Sequence, residues 1–176
     1  MNTTTMTTKN YITAFLILFT CQVFAQQPSA IKTDKTVGTE AIEIILGDWS
    51  GRLTYMDYSS NTPYTMPAEV TVARSKTKNK WSLNFKYPNE PKANSKGQIL
   101  ISKQGDKINK ASIVSKQVLS NKQIEIITEY RGRDNKKKAL IRNTYIFGPK
   151  TFVIRKDVKF ENSSEWMMRN TYSFER

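Results

Sequence analysis

The 176-residue chain has no histidine and one cysteine, Cys21, which falls in its first 25 residues. Those residues read as a secretory leader. Lys9 gives a short positive region, residues 12–19 an apolar core, and Val23-Phe24-Ala25 a small-residue cleavage pattern before Gln26. Once the leader is removed, neither His nor Cys is left. That excludes a Ser-His-Asp triad, a thiol nucleophile, a His/Cys zinc site and haem held through His or Cys. Tyr or Met ligation of haem stays open, with nothing specific behind it. Disulfides are excluded as well, so an exported chain of about 150 residues must hold together by its core.

Long apolar runs are also missing. Residues 12–19 are too few to span a bilayer, and no transmembrane segment is expected in the mature chain. The rival to soluble export, periplasmic or secreted, is a lipid anchor on Cys21. Thr20 stands where a lipidation signal carries Gly, Ala or Ser, so soluble export is preferred. A Gly-rich loop that would cradle phosphate is absent. Paired acids are absent too: Glu125 and Glu129 share a strand face but lie about 13 Å apart by strand rise, too far for a glycosidase pair. They read as outer-face or cross-strand partners. Asp57, Asp134 and Asp157 do not have calcium-loop spacing. No catalytic residue, metal or cofactor is expected.

What the chain does have is positive charge and alternation. Its 28 basic residues face 15 acidic ones, a formal net charge of +13. The basic residues are spread along the chain, which fits solubility and the blunting of strand edges. The functional alternative is attraction to polyanions such as lipopolysaccharide, acidic glycan or extracellular DNA.

Residues 26–38 read as a mobile polar tail and residues 39–46 as about two helical turns, with Thr39 as N-cap. From Asp48 onward the pattern is strand, turn, strand. Residues 80–87 are the clearest case, with Trp81, Leu83, Phe85 and Tyr87 on one face and Lys80, Ser82, Asn84 and Lys86 on the other. Residues 107–116 read as one strand, bulged near Asn109-Lys110. About nine strands result, joined mostly by tight turns, and crossover helices are missing. The expected fold is all-β: an antiparallel up-and-down barrel over residues 39–176, preceded by a short helical turn.

Gly47-Asp48-Trp49, set just after that turn, resembles the Gly-x-Trp that opens the first barrel strand of lipocalins and their calycin relatives. In those families an Arg near the end of the last strand packs over the Trp. The resemblance therefore implies a structural barrel end made by Gly47, Trp49 and either Arg169 or Arg176. It covers the strand count and the first-strand motif. The chain is also similar to small exported bacterial proteins that carry an Asp-Tyr after the first strand, here Asp57-Tyr58.

A repeat stands out on two late strands, Arg142-Asn143-Thr144-Tyr145 and Arg169-Asn170-Thr171-Tyr172. Alternation puts Asn and Tyr on one face and Arg and Thr on the other. If the first face points inward, Asn143, Tyr145, Asn170 and Tyr172, with Tyr55 and Trp81, would line a ligand cavity. The bland alternative makes the aromatics core and leaves Arg and Thr in water. Aromatic and basic residues also alternate as on a base-stacking surface, but export and a strand count above five argue against specific nucleic-acid binding. The expected function is non-catalytic binding of a small apolar or amphipathic ligand, seated toward the Tyr55–Tyr58 end under the 59–66 loop. The alternative is an envelope module that binds polyanions through its basic surface.

Overall fold

The computed structural model describes Met1 and residues 35–176. The expected leader, Cys21 and most of the expected tail lie outside the described residues. All described elements belong to one compact unit, Lys32–Arg176. A single helical turn, α1 (Glu40–Glu43), precedes ten strands: β1 (Gly47–Met56), β2 (Pro63–Arg74), β3 (Lys80–Lys86), β4 (Ser95–Leu100), β5 (Lys107–Ile108), β6 (Ala111–Val118), β7 (Ile124–Asp134), β8 (Lys137–Phe147), β9 (Thr151–Phe160) and β10 (Met167–Glu175). Except for β4 and β5, the two sheet edges, each strand pairs antiparallel with the next, and β10 returns to β1. β4 and β5 meet only through an Ile101–Ile108 bridge. The Asn109 side chain extends that junction, accepting the Leu100 N–H at 2.9 Å and donating to the Gln98 carbonyl at 2.8 Å. The result is a nearly closed antiparallel β-barrel.

The tenth strand comes from residues 107–116. Asn109 and Lys110 both take left-handed φ values, 52° and 71°, and form a two-residue turn that splits the expected bulged strand into β5 and β6. The β7–β8 hairpin turns the same way through Asn135 and Lys136, at 45° and 64°. Left-handed conformations suit Asn but are unusual for Lys, which explains why the first turn read as a bulge.

Up-and-down connection gives the barrel two distinct ends. At one, α1 and residues 35–46 fold across the opening, and Val37, Ala41, Ile42 and Ile45 are buried there. Residues 35–38, expected in a mobile tail, are docked: the Val37 N–H donates to the Gly105 carbonyl at 2.9 Å. Thr39 occupies the N-cap position without a side-chain hydrogen bond, and α1 is one turn rather than two. The helix therefore depends on burial of Ala41 and Ile42, as expected for an element far too short to persist alone.

Inside, strand registers stack the side chains in layers. The layer nearest the helix end is apolar: Ile124, Phe147, Phe152, Phe174, Gly51 and Ala68 are successive partners across β7, β8, β9, β10, β1 and β2. Phe147, Phe152 and Phe174 are completely or almost completely buried. Gly51 has to be glycine because a Cβ there would lie 2.0 Å from the Ser173 carbonyl oxygen. Among the described residues, no helix is long and apolar enough to cross a membrane.

Candidate functional site

The helix end is fully bonded. Gly47 has φ = 102°, a left-handed angle that favours glycine, and this turns the chain from the helical segment into β1. Trp49, two residues on, points inward, donates its indole N–H to the Ile45 carbonyl at 2.8 Å and meets Phe152 edge-on at 5.9 Å. Arg176 lies over the indole with its guanidinium carbon 4.2 Å from the ring centre. The same guanidinium donates to the carbonyls of Leu46 (2.6 Å), Ile44 (2.8 Å) and Pro149 (3.1 Å). Of the two arginines expected over Trp49, Arg176 is the one found there. Trp81 belongs to this end as well: it is buried, and its indole N–H reaches Glu43 Oε1 at 3.2 Å. It seals α1 to β3 and stands apart from the other residues expected to line a ligand site.

Polarity rises along the barrel from there. The second layer holds Ile126, Tyr145, Ile154, Tyr172, Leu53 and Met66. Tyr172 stacks on Phe174 and meets Phe85 at a tilt, and its hydroxyl shares a 2.8 Å hydrogen bond with Tyr87. Burial, then that hydrogen bond, pushes its pKa well above the usual phenol range. Burial pushes the Tyr145 phenol up to about 12, with Tyr130 nearby adding to the effect. Both phenols therefore stay protonated throughout the neutral range and serve as hydrogen-bonding groups.

The third layer is polar: Thr128, Asn143, Lys156, Asn170, Tyr55 and Tyr64 are register partners across the same six strands, with Thr128 fully buried and Tyr64 exposed. It brings the sequence-predicted Asn143, Asn170 and Tyr55 onto one level, directly above Tyr145 and Tyr172. Beyond it lies a separate apolar cluster of Ala139, Ile141, Val158 and Phe160. The polar layer thus interrupts what would otherwise be one continuous core.

Arg169 joins this far end by way of a bulge. Strict alternation from Tyr172 and Phe174 would turn it outward with Thr171, as the sequence reading had it. A register shift between Met168 and Asn170 instead leaves it buried, with 7% of its surface exposed. Its Nε lies 3.1 Å from Asp134 Oδ2, close enough for an ion pair but off the line of a hydrogen bond. The other Asp134 oxygen takes the Lys156 ammonium at 2.7 Å. The Tyr58 ring covers the guanidinium at 3.4 Å. Tyr58 is held by the loop that Asp57 builds, in which the Asp57 carboxylate accepts the backbone N–H and hydroxyl groups of both Ser59 and Ser60. Those bonds, led by the Ser59 hydroxyl, hold the Asp57 carboxyl down at about 2.

Sequence reasoning missed Thr128, Asp134 and Lys156, and it named Tyr58 as marking the ligand end without giving it a contact. Lys156 carried a readable signal, because it sits on the same strand face as Phe152, Ile154, Val158 and Phe160. A lone Lys on an apolar face is an inward cation. Asp134, in phase with Ile124 and Ile126, carried the same signal. The outer face is more ordinary. Arg142 donates twice to Glu129 Oε1 and lies under Trp166 at 4.0 Å, and Arg155 grips Asp157 from two residues away. An open cleft of about 350 Å³ lies between Arg52, Pro67 and Glu175 and touches Gly51 and Met66.

No protein-family model matches the chain, and no curated protein matches it. Among solved structures, it is similar to Rv2717c from M. tuberculosis, with a TM-score of 0.53 and 11% identity over 80% of this chain and 98% of that one. At that identity the likeness is one of fold: the chain is an all-antiparallel, nearly closed β-barrel with a distant structural neighbour.

Proposed function

We propose that the protein is an exported, non-catalytic binding protein that holds a small amphipathic ligand inside the far end of its lipocalin-like barrel. The observation that carries this reading is the polar layer of Thr128, Asn143, Lys156, Asn170, Tyr55 and Tyr64, set between two apolar clusters. Closing a barrel requires no such layer, and a few placed polar groups in apolar surroundings are how binding sites of this kind orient a guest. The filled layer beneath limits the guest to a small one. Native mass spectrometry of protein purified from its own host tests the reading. A co-purifying small molecule that is lost on Asn143→Leu/Asn170→Leu substitution is the expected result; protein at its bare mass in every preparation would count against it.

A second reading has its own observation. The β7–β8 hairpin brings Arg131, Arg133, Lys136, Lys137 and Lys138 together as exposed residues, with Asp134 turned inward. Such a basic tip suits a polyanionic envelope component, lipopolysaccharide or acidic glycan. Retention on heparin that falls steeply with salt, and falls again on K136E/K138E, would support it. Equal retention on anionic and neutral resins would sink it.

A further inference from the structure

We infer that the free edge of β7, residues 130–134, is a peptide-docking edge that takes an extended segment of a partner protein in which acidic and apolar residues alternate. Docking there needs no guest inside the barrel. It goes beyond attraction of a polyanion to the same hairpin, because it requires main-chain pairing.

β7 pairs with β8 along its whole length, from Ile124–Phe147 to Asp134–Lys137. β6 accompanies it only over Ile124–Glu129, because the Asn109–Lys110 turn ends the β5–β6 hairpin there. Beyond Glu129, β7 has β8 on one side and, among the described residues, no strand on the other. Successive residues of a paired strand direct N–H and C=O to opposite sides, alternate residues to the same side. The two-residue turn of Asn135 and Lys136 is closed by the hydrogen-bonded pair Asp134–Lys137, so Asp134 and Gly132 face β8 while Arg133 and Arg131 face the gap. Lys138 fixes the phase independently: it lies opposite Arg133, and its carbonyl turns away from β7 to accept the Glu161 N–H at 3.4 Å. Arg131 and Arg133 thus present their main-chain N–H and C=O groups to solvent, which is what an added strand pairs with. Across the gap, β4 is bound to β3, and on its other side the Asn109 side chain takes the Leu100 N–H and the Gln98 carbonyl, leaving the edge at Lys96 open.

The side chains along the gap specify the occupant. Tyr130 belongs by alternation to the inner face with Ile126 and Thr128, yet it is 42% exposed where those two are 0%, because the wall is open beside it. An apolar side chain on an incoming strand would cover it. Arg131 and Arg133 stand exposed on the outer face, with Lys136, Lys137 and Lys138 beyond the turn and exposed Lys96 across the gap. Nearby acids do not neutralise this group. Asp134 is turned inward to Lys156, Glu129 is held by Arg142, and Glu161 is a single carboxylate among Arg131, Arg133 and Lys138. Cations on both edges oppose the pairing of two copies of this chain edge to edge. A strand with Asp or Glu at its outward positions meets opposite charge instead, and its inward positions meet Tyr130. Main-chain hydrogen bonds would supply affinity and the alternate side chains selectivity.

Fluorescence anisotropy tests the inference, with the full chain titrated into a fluorescein-labelled peptide of alternating Glu and Val. Two further peptides serve as controls: the same one N-methylated at every residue, which keeps the charges but donates no main-chain hydrogen bond, and a Lys–Val counterpart. The N-methylated peptide should bind at least about tenfold more weakly than its parent, and the Lys–Val peptide weakest of all. Arg131→Glu/Arg133→Glu should weaken the Glu–Val peptide by at least about tenfold. Amide hydrogen exchange followed by NMR reads the pairing directly. The Arg131 and Arg133 amides should exchange fast in the free chain and become protected at saturating peptide, while those of Gly132 and Asp134 are protected in both states. If the N-methylated peptide binds as tightly as its parent, or the Arg131 and Arg133 amides stay unprotected, the docking edge is overturned and plain attraction of polyanions stands. If the Glu–Val peptide does not bind while heparin is retained, the docking edge again falls alone; if neither is held, both fall. The comparison of parent and N-methylated peptides on the unaltered chain holds even if the double variant fails to fold.

Discussion

Removing the Arg176 side chain should loosen the helix end of the barrel by a measurable amount that can be worked out in advance. The guanidinium makes two kinds of contact. It lies 4.2 Å from the centre of the Trp49 ring, and it donates to three backbone carbonyls, those of Ile44, Leu46 and Pro149. Arg176 is exposed, so the cation–π term sits at the low end of its range, about 0.5–1 kcal/mol. The carbonyls regain water when the side chain leaves, and each lost hydrogen bond then costs a net amount near the bottom of the usual range, roughly 0.5 kcal/mol. Together, Arg176→Ala should destabilise the fold by about 2 kcal/mol. For a domain of this size that corresponds to a fall in melting temperature of roughly 5–8 °C.

R176K separates the two contributions. Lysine keeps a cation near the indole but cannot reach carbonyls of two different chain segments at once, so about half the loss should remain. Thermal unfolding followed by tryptophan fluorescence is the natural assay, since Trp49 reports on this end directly. A double-mutant cycle of Arg176→Ala with Trp49→Phe should return a coupling of about 0.5–1 kcal/mol. If R176A melts within a degree of wild type, the guanidinium contacts contribute nothing and the latch assigned to this end does not exist. Equal stability of R176K and wild type would mean that charge alone matters, and would overturn the hydrogen-bonded account.

Other residues give independent tests. Ile42→Ala, at a fully buried position within α1, should cost about 2–4 kcal/mol in urea unfolding, and a loss below 1 kcal/mol would show that the helical segment does not seal the barrel. The Asp57 carboxyl should titrate near 2 by carbon NMR, and Ser59→Ala should move it back toward 4; an unmoved value would dissolve the loop that positions Tyr58. Because the folded value lies below the unfolded one, whatever stability Asp57 adds is present above about pH 4 and lost as pH falls toward 2. The Tyr145 phenol, held up at about 12, should be missing from the tyrosines that ionise near pH 10 in an ultraviolet titration, and its contribution to stability should fade as pH rises from 10 toward 12. Its ionisation with the bulk of the tyrosines would place it outside the core.

Period-two alternation was enough to read the barrel, because each of the longer strands buries one face and a shift of one residue would expose it. Gly47-x-Trp49 likewise fixed the helix end, since a left-handed turn followed by an inward Trp is written in residue types. The far end was less legible for definite reasons. A bulge is set by backbone pairing rather than by composition, so nothing in Met168-Arg169-Asn170 signals that Arg169 turns inward. Lys in a left-handed turn broke the usual Asn-Gly code at Asn109-Lys110 and hid a strand boundary. Trp81 illustrates the converse: alternation placed it correctly on the inner face, but alternation says nothing about height along the barrel. Only strand register separates a Trp that seals α1 from a Tyr in the polar layer.

The two ends should therefore respond to mutation in opposite ways. At the helix end three polar side chains have their mates: the buried Trp49 indole on Ile45, the buried Trp81 indole on Glu43, and the exposed Arg176 fork on backbone carbonyls. Truncation there removes made bonds and packing, and every variant should lose stability. At the far end, Arg169 Nη1 and Thr128 Oγ1 are buried without hydrogen-bond partners, and the free energy of leaving them so is already spent in the folded state. Thr128→Val keeps the shape, removes a buried hydroxyl that makes no well-formed hydrogen bond, and should raise stability by about 1 kcal/mol. A barrel selected only for stability would have made that substitution, because it is a single conservative step that opens no cavity. A stabilising effect of T128V, set beside a destabilising effect of R176A, would locate the strain at the end where a guest would relieve it. If T128V costs stability as the helix-end variants do, the Thr128 hydroxyl is already satisfied within the fold, and only Asp134 and Arg169 keep unpaired buried atoms at the far end.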